Sequence, residues 1–139
     1  DVWRHFKRTL ETRQLLQYFE PRKIAVQDDE IEFQHTWQNG VLHCLEPVSF
    51  DLSSPDGIKD KAHRWLGRVT SIAKTPDKFR LYFVVGQPQD EELGAAFDSA
   101  LSILGKMPVE TAIFREQQGE ELSELLAKEV AEHNSSSQS

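Results

Sequence analysis

Cys44 and His35 are the pair from which nucleophilic chemistry would start, because a thiolate beside an imidazole is the smallest unit that activates sulfur. Both lie in alternating stretches that read as the two arms of one hairpin, which sets them side by side across it. A cysteine nucleophile normally sits at a helix N-terminus or a sharp turn, where its pKa falls. Cys44 is mid-strand, so a buried structural thiol is the expected role. Adding His43 and His63 gives a conceivable metal set, yet the register sends His35 and His43 to opposite faces and no three-ligand site closes. Lys61, Arg64 and Arg68 form a second group, spaced to share one side of a helix. Such a row suits phosphate or nucleic acid, and its plainer role is a solvated face. Gly57, Gly67 and Gly86 are isolated and Gly94 falls within a helix, so no Gly-rich phosphate loop exists and nucleotide binding of that kind is set aside.

The elements that must position these residues centre on Ile31 to Leu52, IEFQHTWQNGVLHCLEPVSFDL. Ile31, Phe33, His35 and Trp37 alternate with polar neighbours, the period of a half-buried strand. Asn39-Gly40 supplies residues that tolerate positive φ, which predicts a two-residue turn. Trp37 then opposes Leu42 and His35 opposes Cys44, so Phe33, His35, Trp37, Leu42 and Cys44 share the expected core face. Beyond Pro47 the alternation resumes at Val48, Phe50 and Leu52. Pro47 cannot donate to a ladder, and predicts a bulge, a kink or an edge position.

Around the hairpin, Trp3, Phe6 and Leu10 mark an amphipathic helix over residues 1–18, and Ile24 and Val26 a short extended piece. Ser54-Pro55-Asp56-Gly57 starts a second helix whose apolar positions run from Ile58 to Ala73. Phe79 to Val85 is an almost unbroken apolar run, which suits a central strand covered on both faces. A helix from Asp90, a strand from Val109 to Phe114, an acidic helix through Val130 and a disordered tail over 133–139 complete the chain. The predicted order is α-β-β-α-β-α-β-α, a mixed α/β domain over 1–132 with a hairpin beside parallel strands in a four-stranded mixed sheet.

With 139 residues one core is expected, and a single cysteine excludes an internal disulfide and fits a reducing, cytoplasmic setting. No run is long and apolar enough for a membrane helix, and no leader is visible. Thirteen Lys or Arg stand against twelve Asp or Glu through Arg80, whereas only Lys106, Arg115 and Lys128 stand against eleven acids after it. An overall nucleic-acid footprint is therefore not expected, although a local basic patch in the first half remains open. Because the sequence opens on Asp1 inside a helix, the leading helix over 1–20 is expected to belong to a longer chain.

Two resemblances follow. The helix, meander, helix and further strand are similar to the core of restriction-endonuclease-like nucleases, in which two carboxylates hold Mg²⁺ and a lysine positions water. That resemblance would offer Glu46 and Asp51 as carboxylates with Ser49 between them, but Leu52-Ser53 follows Asp51 where x-Lys is needed. The lysines Lys59 and Lys61 lie in the next helix. The stretch HTWQNGVLHCLEPVSFDL, His35 to Leu52, with the helix near Ile58, resembles the C-terminal part of a bacterial family known only as a domain of unknown function. It implies a module following another domain, with no activity, substrate or cofactor attached. The expected function is a non-catalytic interaction module whose partner is another protein or an upstream part of its own chain. The alternative is a divergent metal-dependent nuclease or nucleic-acid binder using Glu46, Ser49 and Asp51 with Lys61, Arg64 and Arg68.

Overall fold

A computed structural model describes residues 1–137. Its elements are α1 (Val2–Thr12), β1 (Glu20–Ala25), β2 (Glu30–Gln38), β3 (Leu42–Ser49), α2 (Pro55–Ile72), β4 (Phe79–Gly86), α3 (Gly94–Leu104), β5 (Thr111–Arg115) and α4 (Gly119–Ser137). The five strands lie in the sheet in chain order. β1, β2 and β3 form an antiparallel meander, and β3, β4 and β5 run parallel through the crossovers α2 and α3.

Two crossovers of one hand place α2 and α3 together on one face, and α1 and α4 cover the other. The residues of β4 divide accordingly. Phe79, Leu81, Phe83 and Val85 enter the core beneath α2 and α3, while Tyr82 and Val84 enter the core beneath α1 and α4. α2 begins where the sequence predicts, with Ser54 Oγ accepting from Gly57 N at 3.0 Å and Pro55 in the first turn. No helix among the described residues is long and apolar enough to cross a membrane.

Several expectations are corrected. The sheet has five strands, not four, because Glu20–Ala25 pairs with β2, and the order becomes α-β-β-β-α-β-α-β-α. α1 stops at Thr12, since Gln14 adopts φ 58° and turns the chain out of the helix. The segment from His133 continues α4 through Ser137, held by His133 edge-on to Trp37 at 5.8 Å. The rest of the predicted tail, 138–139, lies outside the described residues.

The hairpin register shifts by one. Its connection is three residues long, with Gly40 at φ 124°, and Gln38 opposes Leu42. Asn39 closes it: its Oδ1 accepts from Val41 N at 3.3 Å and its N–H donates to Val41 O at 3.2 Å. Every pair moves with it, so His35 opposes Leu45, Thr36 opposes Cys44 and Trp37 opposes His43.

β2 also carries a bulge. Glu20 pairs with Thr36 but Arg22 pairs with Phe33, so β2 has one residue more than β1 over that interval. The extra residue reverses the faces: Ile31 and Phe33 point beneath α2, whereas Trp37 lies beneath α1 and α4, with His35 stacked on Trp3 of α1. The predicted single face of Phe33, His35, Trp37, Leu42 and Cys44 is therefore split between the two cores. Pro47 sits past the last residue of β3 registered to β2, Leu45, so its missing donor falls on an edge-like stretch.

Candidate functional site

α2 buries Ile58, Ala62, Val69 and Ile72 against the sheet, which turns the flank carrying Lys61, Arg64, Trp65 and Arg68 outward. These four residues line a cleft of about 190 Å³. Arg64 and Arg68 are exposed, and Lys61 and Trp65 are half-buried. Lys61 Nζ donates to Ser49 O at 2.6 Å, reaching β3 where it no longer pairs with β2. The Arg68 guanidinium lies 4.9 Å from the centre of the Trp65 ring, whose edge meets Phe83. Neither Lys61, Arg64 nor Arg68 forms a salt bridge among the described residues.

The electrostatics beneath this flank are those of cations set over a desolvated acid. Burial pushes the Glu46 carboxyl up to about 7, and Arg68 opposes that rise. Burial and then the neighbouring Arg64 lower Lys61. The Asp29 pKa is lowered chiefly by a hydrogen bond from Ser71, with Arg68 a smaller cause.

The proposed carboxylate set disperses. Glu46 lies on the α2 side of β3, while Ser49 Oγ accepts from Asp51 N at 3.2 Å and Asp51 Oδ1 accepts from Gln89 N at 3.1 Å. Five positions separate Glu46 from Asp51 along the chain, and the Asp51 carboxylate is turned to the Gln89 backbone. Among the described residues no group of three His, Cys, Asp or Glu is arranged to hold a metal.

The thiol pair is likewise separated. Cys44 is fully buried beneath α2 and α3, and burial, with Glu46 adding to it, pushes its thiol up to about 12. His35 is on the other face, its ring 3.5 Å from that of Trp3. It shares that face with His43, contrary to the expected opposition, because the one-residue shift of the hairpin register sets His35 opposite Leu45. His63 is exposed on α2.

A cluster that sequence reasoning missed surrounds His43. The imidazole is 2% exposed, stacked on Trp37, with Nε2 2.9 Å from Asn39 Oδ1 and 3.3 Å from Glu129 Oε2. Both neighbours are acceptors, so the proton sits on Nε2 and Nδ1 accepts from the Tyr82 hydroxyl at 2.8 Å. Arg80 joins Glu110 at 2.9 Å and Glu129 at 3.6 Å. Burial and then Arg80 depress His43 to about 4, with Glu110 opposing. The visible signal was Arg80 and Tyr82 at i, i+2 inside an otherwise apolar strand, two polar groups obliged to share one face. These side chains tie α4 to the sheet and leave Arg80 Nε buried without a hydrogen-bond partner, whereas Lys61, Arg64 and Arg68 of α2 have no carboxylate within salt-bridge range among the described residues.

Comparison of this chain with family models, with curated proteins and with solved structures returned no match.

Proposed function

We propose that this domain is a non-catalytic interaction module that holds an anionic segment of its partner in the cleft on α2. One observation carries the reading: Lys61, Arg64 and Arg68 line a single cleft with Trp65, and none forms a salt bridge with a carboxylate among the described residues. Cations of a merely solvated helix face tend to be spent on i,i+4 pairs. Here Lys59 rather than Lys61 approaches Asp56, at 4.0 Å, and the cleft keeps its charge.

Heparin affinity tests it. A protein of net charge −7 should pass such a column unless its positive charge is concentrated. Retention of the wild type, with early elution of the Arg64→Glu, Arg68→Glu variant at the same net-charge change as a control reversal of Lys106 and Lys128, is the expected result. Equal elution of the two variants would remove the cleft from consideration.

A second reading takes support from the strand order. A meander, a helix and a strand parallel to the third is the arrangement similar to restriction-endonuclease-like nucleases, with Glu46 on the third strand and Lys61 on the helix. The dispersal of Glu46 and Asp51 weighs against it. Cleavage of DNA or RNA in Mg²⁺ or Mn²⁺ that is lost in Glu46→Gln would restore it.

A further inference from the structure

We infer that the occupant of the α2 cleft is single-stranded nucleic acid, bound through its phosphates and one stacked base. The inference rests on the cleft being an anion site and adds the chemistry of the anion.

The first ground is spacing. Lys61, Arg64 and Arg68 step along α2 at three and four residues, rises of about 4.5 and 6 Å, on one flank. A row of single cations one turn apart matches a chain of single negative charges better than one compact dianion. Two of the three are arginines, whose planar forks take phosphate oxygens in pairs.

The second ground is aromatic. Arg68 lies over the Trp65 ring at 4.9 Å, and the ring is held upright by its edge against Phe83 at 5.8 Å and 75°. Cation and aromatic ring thus share the cleft, with Arg68 exposed and Trp65 half-buried, and exposed guanidinium and indole planes are surfaces on which an unpaired base stacks. The carboxylates of an acidic peptide would use the charge but not the plane. A duplex presents phosphates with its bases already stacked, and the acidic second half of this chain, eleven acids against three cations after Arg80, opposes its wider field.

The third ground is the helix surface beside the row. Gly67, one turn from Arg64, is exposed, and a Cβ placed there would meet nothing within 4 Å. Neither packing nor backbone geometry explains a glycine in mid-helix, where it is unfavourable. It leaves bare backbone on the exposed side of α2, about 100° around the helix from Arg68.

The test is anisotropy of a fluorescein-labelled oligothymidylate and of a matched duplex, titrated with the full chain over a range of salt, with polyglutamate as competitor. Single-strand binding should weaken with a log–log salt slope of about −2, the value for three phosphates on a single strand. Arg64→Glu should weaken it at least tenfold, and Arg68→Lys, which keeps the charge and removes the plane, severalfold. Circular dichroism and thermal melting check that these exposed changes leave the fold intact. Equal affinity for duplex and single strand, with no loss in Arg68→Lys, overturns the stacking claim. Heparin retention through the cleft with no oligothymidylate binding, or displacement by polyglutamate alone, overturns nucleic acid and leaves the anion-binding module standing. Failure of both ligands removes both.

Discussion

His43 and Glu46 sit three residues apart on β3 and titrate in opposite senses, because burial disfavours whichever form is charged. His43 is depressed from 6.5 to about 4, so the unfolded chain takes up its proton first as pH falls. The stability this gives is complete above pH 6.5 and is lost progressively down to about 4. Glu46 is raised from 4.5 to about 7, so its contribution is complete below 4.5 and is lost as pH rises to about 7. The two slopes oppose over most of the interval. His43→Leu should leave stability falling with pH and Glu46→Gln should leave it rising, measured as urea midpoints at a series of pH values. Parallel profiles for the two variants would contradict the assignment. Cys44 yields a second expectation at this scale. Its thiol is fully buried and pushed up to about 12, so reaction with a thiol reagent should run at the rate of unfolding and accelerate in urea.

At the scale of elements, the exposed glycines Gly67 and Gly40 separate cleanly. Gly67→Ala fills open space in mid-helix and should stabilise α2 by about 0.5–1 kcal/mol, seen as a higher melting temperature. Gly40→Ala must place a side chain at φ 124° in the hairpin loop, and should destabilise by about 1–3 kcal/mol although it too meets nothing within 4 Å. The contrast tests backbone geometry alone. What the sequence made legible follows the same division between repeating and single events. α2 and β4 announce themselves through many residues, from Ile58 to Ile72 and from Phe79 to Val85. β1 does not: only Ile24 of its six residues is buried, and Pro21, Arg22 and Lys23 are the marks of a guarded edge. The cleft residues Lys61, Arg64 and Arg68 were readable because the helix period assembles them. The His43 cluster was not, since it draws Asn39, Tyr82, Arg80 and Glu129 from four places that meet only in three dimensions.

For the molecule as a whole, the sheet separates the α2 flank, whose cations line one cleft, from a face where ion pairs tie α4 to the strands around a cavity of about 370 Å³. α4 is joined to β3 and β4 through Glu129, and to the residue after α1 through Arg13, which reaches Glu120 and Glu124 at 3.1 and 3.4 Å. Arg80→Met should therefore loosen α4 first, raising amide exchange there while α2 and α3 stay protected. If protection falls equally in both layers, the two cores unfold as one. The extra residue in β2 bears on both cores at once. Upstream of it the strand is written in one phase and downstream in the other, so that Ile31 and Phe33 are addressed to the α2 side and Trp37 to the α4 side. Loss of Gln34 would restore an unbroken ladder and deliver half the strand's cargo to the wrong layer. Between Ile31 and Trp37 the number of residues is thus constrained more tightly than their identity, and the spacing itself is a structural feature.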